Sequence, residues 1–129
     1  MFIGAQERQL FDSIIAKNLI LVDEDSNQVI ITAKGLSMFK NSKPLILLGQ
    51  ADDGSTGYFS LFNNKEKEIV IIGNDGAGGG HLMTANQDGE GTVFLGTEDA
   101  TGGGRLITHN IYGNKTSYVG TFEKHWRNS

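Results

Sequence analysis

The strongest constraint on this chain is that its sequence repeats. Set one under another, the segments FSLFNNKEKEIVIIG, HLMTANQDGEGTVFLG and RLITHNIYGNKTSYVG align their apolar, turn and glycine positions. Gly49, Gly73, Gly96 and Gly120 recur at separations of 24, 23 and 24 residues. An earlier unit, LSMFKNSKPLILLG, ends at Gly49 with one residue fewer in its turn, and LILVDEDSNQVIITA precedes it with Ala33 in the glycine place. Five units therefore run from about Asn18 to Thr121. A unit this short cannot bury its own apolar face, so it must stack on other units of its chain or of a partner chain.

Within a unit the pattern is two short strands and two turns. The first strand, as in His81-Leu82-Met83-Thr84-Ala85, alternates apolar and polar side chains and leads into a turn such as Asn86-Gln87-Asp88-Gly89. The second, as in Thr92-Val93-Phe94-Leu95-Gly96, is apolar at successive positions, which predicts burial on both faces. Aligned units give columns. Leu19, Leu36, Phe59, Leu82 and Leu106 form one, and Thr32, Leu48, Ile72, Leu95 and Val119 a second; both predict continuous apolar seams. A third column, Asp23, Lys40, Asn63, Asn86 and Asn110, falls where a short polar side chain hydrogen-bonds its own turn, so it reads as turn structure.

Two flanks differ from the repeat. In residues 1–17, Leu10, Phe11, Ile14 and Ile15 fall on one stripe of an amphipathic helix over Gly4 to Lys17. So short a helix is marginal alone in water and needs a surface, either the end of the β-stack or the same helix of neighbouring copies. The tail, residues 122–129, carries Phe122 and Trp126 four apart, suited to capping the last unit or touching another protein.

Composition narrows the function classes. With no cysteine, a disulfide scaffold and a thiolate zinc site are excluded. Eleven Lys and Arg against fifteen Asp and Glu, with no block of either sign, argue against strong non-specific nucleic-acid binding. No apolar stretch approaches the roughly 18 residues of a membrane span, and MFIGAQERQL lacks an export-signal pattern, so the expected location is cytoplasmic or virion-associated.

The stretches LVDEDSNQVIITA, LSMFKNSKPLILLG, LFNNKEKEIVIIG, TANQDGEGTVFLG and THNIYGNKTSYVG resemble bacterial and bacteriophage glycine-rich β-repeat proteins. The resemblance spans Asn18 to Thr121, on short motifs. It implies trimeric fibre or spike segments, in which intertwined or side-by-side β-chains follow a short coiled coil, and it carries over no catalytic residues. Ala33 in place of the unit-ending glycine, and Lys43-Pro44 in place of the first turn's glycine, depart from the pattern.

Several motifs invite chemistry. Gly73-Asn74-Asp75-Gly76-Ala77-Gly78-Gly79-Gly80 is similar to calcium-binding nonapeptides, but the 23 to 24 residue period does not match nine, and it reads as a glycine-rich turn. Asp23-Glu24-Asp25-Ser26-Asn27 opens like a calcium loop, yet Gln28 and Lys34 occupy the places of the turn glycine and the bidentate glutamate. Gly102-Gly103-Gly104-Arg105 lacks the Lys-Ser/Thr pair and following helix of a phosphate loop. No metal or other cofactor is expected. Asp52, Asp53, Asp75, Glu98 and Asp99 leave open a carboxylate pair assembled between subunits, as in a polysaccharide depolymerase.

Tyr58, His81 and Arg105 share a column at the first-strand entry. Such a line suits a sugar or an anion, with Arg105 stacking on a ring, or else a ladder of cross-strand neighbours. The expected architecture is all-β, a β-prism or β-solenoid-like stack behind a short helix, assembled as a homotrimer through Leu10, Phe11, Ile14 and Ile15 and a shared β core. The expected role is non-enzymatic: a self-associating stalk, fibre or surface module. The alternative is a carbohydrate- or receptor-binding module using Tyr58, His81, Arg105, Tyr112 and Trp126.

Overall fold

The computed structural model describes residues 15–51, 54, 56–74, 78–97 and 102–120. They form ten strands: β1 (Asn18–Val22), β2 (Asn27–Thr32), β3 (Gly35–Lys40), β4 (Lys43–Gln50), β5 (Gly57–Phe62), β6 (Glu68–Asn74), β7 (Gly80–Ala85), β8 (Gly91–Thr97), β9 (Gly104–His109) and β10 (Lys115–Gly120). Each pairs antiparallel with its sequence neighbour, in one sheet ordered β1 through β10. The sheet neither closes nor curls. The expected solenoid-like coil is thus replaced by units lying side by side in one layer. Short connections explain this, because a two-residue link such as Ala33-Lys34 between β2 and β3 allows only an antiparallel neighbour.

The pairing registers give the two faces. Leu19, Ile31, Leu36, Leu48, Phe59, Ile72, Leu82, Leu95, Leu106 and Val119 are successive cross-strand partners, a single apolar row over all ten strands. The two apolar columns of the sequence therefore merge into one, with a correction: Ile31, not Thr32, occupies the row. Units two to five carry an extra residue in the second strand, a β-bulge that shifts register at Leu45, Ile69, Thr92 and Thr116. The first unit has no bulge, so its second strand is one residue shorter and Thr32 takes the glycine place that the alignment gave to Ala33.

The opposite face carries the row Ile20, Ile30, Ser37, Leu47, Ser60, Ile71, Met83, Phe94, Ile107 and Tyr118. Burial on both faces, as expected for the second strands, is not reached within one chain. Among the described residues no apolar side chain is fully buried, and Ser60 alone is. Of the N-terminal segment, Ile15, Ala16 and Lys17 are non-helical and Ile15 is exposed. Leu10, Phe11 and Ile14, like the tail residues Phe122 and Trp126, lie outside the described residues.

Candidate functional site

The polar turn column builds one margin of the sheet. Asn63 Oδ1 accepts hydrogen bonds from the backbone N–H groups of Lys65 and Lys67 at 2.9 and 3.0 Å. Asn86 does the same for Asp88 and Glu90, and Asn110 for Tyr112 and Asn114. Asp23 repeats the arrangement for Asp25 and Asn27. The Asn27 side-chain amide, joined by its backbone N–H, holds the Asp23 carboxyl below its ordinary value. Lys65 on the neighbouring turn does so for Asp88, across 2.8 Å. Lys40 departs, because its hairpin is a two-residue turn with Asn41 and Ser42 both at positive φ. The column is structural, as its spacing implied.

Tyr58, His81 and Arg105 do share a row, and its partners explain the recurring glycine. From strand to strand the row reads Asn18, Thr32, Gly35, Gly49, Tyr58, Gly73, His81, Gly96, Arg105 and Gly120. Each large side chain thus has a glycine on either flank and lies on bare backbone. A Cβ added at Gly73 would come within 3.3 Å of the Tyr58 Cβ, and one at Gly96 within 2.8 Å of the His81 Cβ. At Gly96 the approach leaves no room for a Cβ, and at Gly73 the contact would be tight.

Phe94 joins this row from the one beside it. It lies two residues before Gly96, on the same face, and its ring covers that glycine. On one side it stacks with His81, ring centroids 5.6 Å apart and planes at 14°. On the other, the Arg105 guanidinium carbon sits 4.8 Å from its centroid. The three form a cation–aromatic–imidazole stack across β7, β8 and β9. Tyr118 covers Gly120 in the same way, with Lys115 Nζ 5.3 Å from its ring. The sequence columns missed Phe94, yet its position two before a glycine was the signal, since alternate residues share a face.

Other sequence candidates fall elsewhere. Tyr112 sits in the turn beyond the far end of β9 from Arg105, roughly 15 Å or more along the strand, and is exposed. Asp52, Asp53, Asp75, Glu98, Asp99 and Trp126 lie outside the described residues. Among the described residues no three His, Asp or Glu side chains are grouped to hold a metal ion. No protein-family model matches the chain, and no curated protein is similar enough to count as a relative.

Proposed function

We propose that this chain is a structural, self-associating β-repeat protein, a stalk, fibre or surface module built as a homotrimeric β-prism, in which each open sheet is completed by other copies. One observation carries the proposal: ten paired strands present apolar rows on both faces, yet no described apolar side chain is fully buried. Exposed apolar area of this extent marks an interaction surface. Threefold association gives every sheet two neighbours through one operation, and a closed ring of copies leaves no sheet uncovered on its inner face. Light scattering at micromolar concentration, with and without residues 1–17, tests this. A mass of three chains supports it, and a strictly monomeric, cooperatively folded particle refutes it.

A second reading, glycan or receptor binding, draws on the Phe94–Arg105 stack, an aromatic and a cation held together at a groove lined also by Met83, Ile107 and His109. Saturable binding on a glycan array, lost in Arg105→Ala, supports that reading; an array without hits removes it.

A further inference from the structure

The faces differ in a way that selects one of them, and its polarity fixes how copies align. The row from Leu19 to Val119 is apolar at all ten positions, whereas the opposite face carries His81 and Arg105 in one row and Gln28, Glu68, His109 and Lys115 in the next. Exposure separates them too. Within β2–β9 the large apolar side chains most open to solvent are Ile31 (39%), Leu48 (52%), Ile72 (45%) and Leu95 (52%), and all four belong to the Leu19–Val119 row. The central apolar side chains of the other face, Ile71, Met83, Phe94 and Ile107, are all half-buried, as Leu36, Phe59, Leu82 and Leu106 are on the Leu19–Val119 row, so the difference lies in the alternate strands that carry Ile31, Leu48, Ile72 and Leu95.

Area is adequate for a stable contact. Ten strands at about 4.8 Å spacing span about 43 Å, and strands near six residues long span about 20 Å, giving a face of about 850 Å². That matches the roughly 800 Å² per partner of a standard stable interface. The occupant best matched to it is a second copy of the same face.

Orientation follows from the row beside the apolar one. It reads Leu21, Val29, Met38, Ile46, Leu61, Val70, Thr84, Val93, Thr108 and Ser117, apolar throughout β1–β6 and hydroxyl-bearing at three of the four positions beyond, Val93 on β8 being the exception. The hydroxyls already bond one another, Thr84 to Thr92 at 3.0 Å, and Thr108 to Thr116 and Ser117 at 2.8 and 2.7 Å. Antiparallel copies would set Thr108 and Ser117 against Val29 and Leu21, desolvating hydroxyls on aliphatic surface. Parallel copies set aliphatic on aliphatic and hydroxyl on hydroxyl. We infer that copies of this chain pack through the Leu19–Val119 face, parallel and in register, so that each strand meets the same strand of its neighbour. This rests on the proposed self-association and adds to it the face and the alignment.

The chain has no cysteine, so single cysteines report contacts cleanly. Leu95→Cys and Leu36→Cys on the apolar row, and Ile107→Cys on the other face, are treated with a short bismaleimide after light scattering has established each variant's mass and melting has established its fold. In-register packing links Leu95→Cys to itself in most chains and leaves Ile107→Cys unlinked. Linkage only in a mixture of Leu36→Cys and Leu95→Cys means antiparallel copies, and linkage through Ile107→Cys means the wrong face. An assembled sample in which Leu95→Cys never links also overturns the inference while self-association stands. A monomeric parent protein fails the proposed function itself.

Discussion

Replacing Gly96 by alanine isolates the close approach that places the His81–Phe94–Arg105 stack. The added Cβ would meet the His81 Cβ at 2.8 Å and the Phe94 ring at 2.9 and 3.0 Å. Ordinary carbon contacts begin near 3.5 Å, so neighbours must retreat by roughly 0.5 to 0.7 Å. The His81 Cβ is fixed to its strand, so the Phe94 ring yields, and it leaves both His81 and Arg105. Overpacking costs about 1–3 kcal/mol, and a loosened cation–π contact adds about 0.5–1 kcal/mol. Restricting the unfolded chain returns about 0.4–1 kcal/mol. The net expectation is a loss of about 2 kcal/mol. Gly104→Ala is the control, since its Cβ meets nothing within 4 Å and retains only the entropic gain. Urea unfolding at one fixed protein concentration reads the difference, because assembly makes apparent stability concentration-dependent. In a Phe94→Leu background the penalty at Gly96 should shrink by about 1 kcal/mol, the coupling expected of touching residues. Equal midpoints for Gly96→Ala and Gly104→Ala, or a penalty undiminished by Phe94→Leu, would refute the argument.

Other perturbations reach the turns and the faces. Asn86→Ala removes the acceptor of two backbone N–H groups and should cost about 1 kcal/mol, as loss of a helix cap does, while Gly89→Ala at φ +88° should cost about 1–2 kcal/mol; urea midpoints check both. Asp23 and Asp88 titrate below the ordinary 3.8 in the folded chain. Their contribution is therefore present above the unfolded pKa and lost as pH falls through the lowered folded value, so the protection factors of the β1–β2 hairpin amides, which divide out the intrinsic pH dependence of exchange, should be flat from pH 7 to 5 and fall relative to an Asp23→Asn variant only below about pH 4. Ile72→Asp, between Phe59 and Leu82 in the row that meets the neighbouring copy, should bury an unpaired charge in the assembly and lower its mass and melting temperature, a cost of roughly 3 kcal/mol, whereas Ile71→Asp on the half-buried opposite face should cost less; equal melting curves for the two would refute the choice of face.

The two-strand unit, the asparagine turns and the shared column of Tyr58, His81 and Arg105 were legible because period-two alternation and turn chemistry are local. Thr32 was placed one residue out because a β-bulge leaves no fixed residue signature. Counting ten residues from Asp23, as from Asn63 to Gly73, lands on Ala33, whereas the unbulged β2 reaches the row at Thr32. Phe94 was missed because the columns followed one row at a time, and its ring crosses to the next to cover Gly96. Whether units coil or spread was legible only in part. The two-residue link Ala33-Lys34 admits an antiparallel neighbour alone, whereas the longer links 51–56, 75–79 and 98–103 have lengths and residue types, glycine above all, that do not by themselves choose between an antiparallel neighbour and a coil.

Because every unit is a hairpin, the chain leaves each one on the margin where it entered. The asparagine turns therefore lie along one margin, and the links 33–34, 51–56, 75–79 and 98–103 along the other. Duplicating or deleting a whole unit alters the length of the sheet by about 9.6 Å, two strand spacings, and leaves faces, margins and chain direction unchanged. Losing half a unit would reverse all three downstream. The sheet is thus graduated in hairpins: gain or loss of whole units resets its reach in whole steps, and insertions should enter most readily at the margin of the links, whose sequences contain no asparagine.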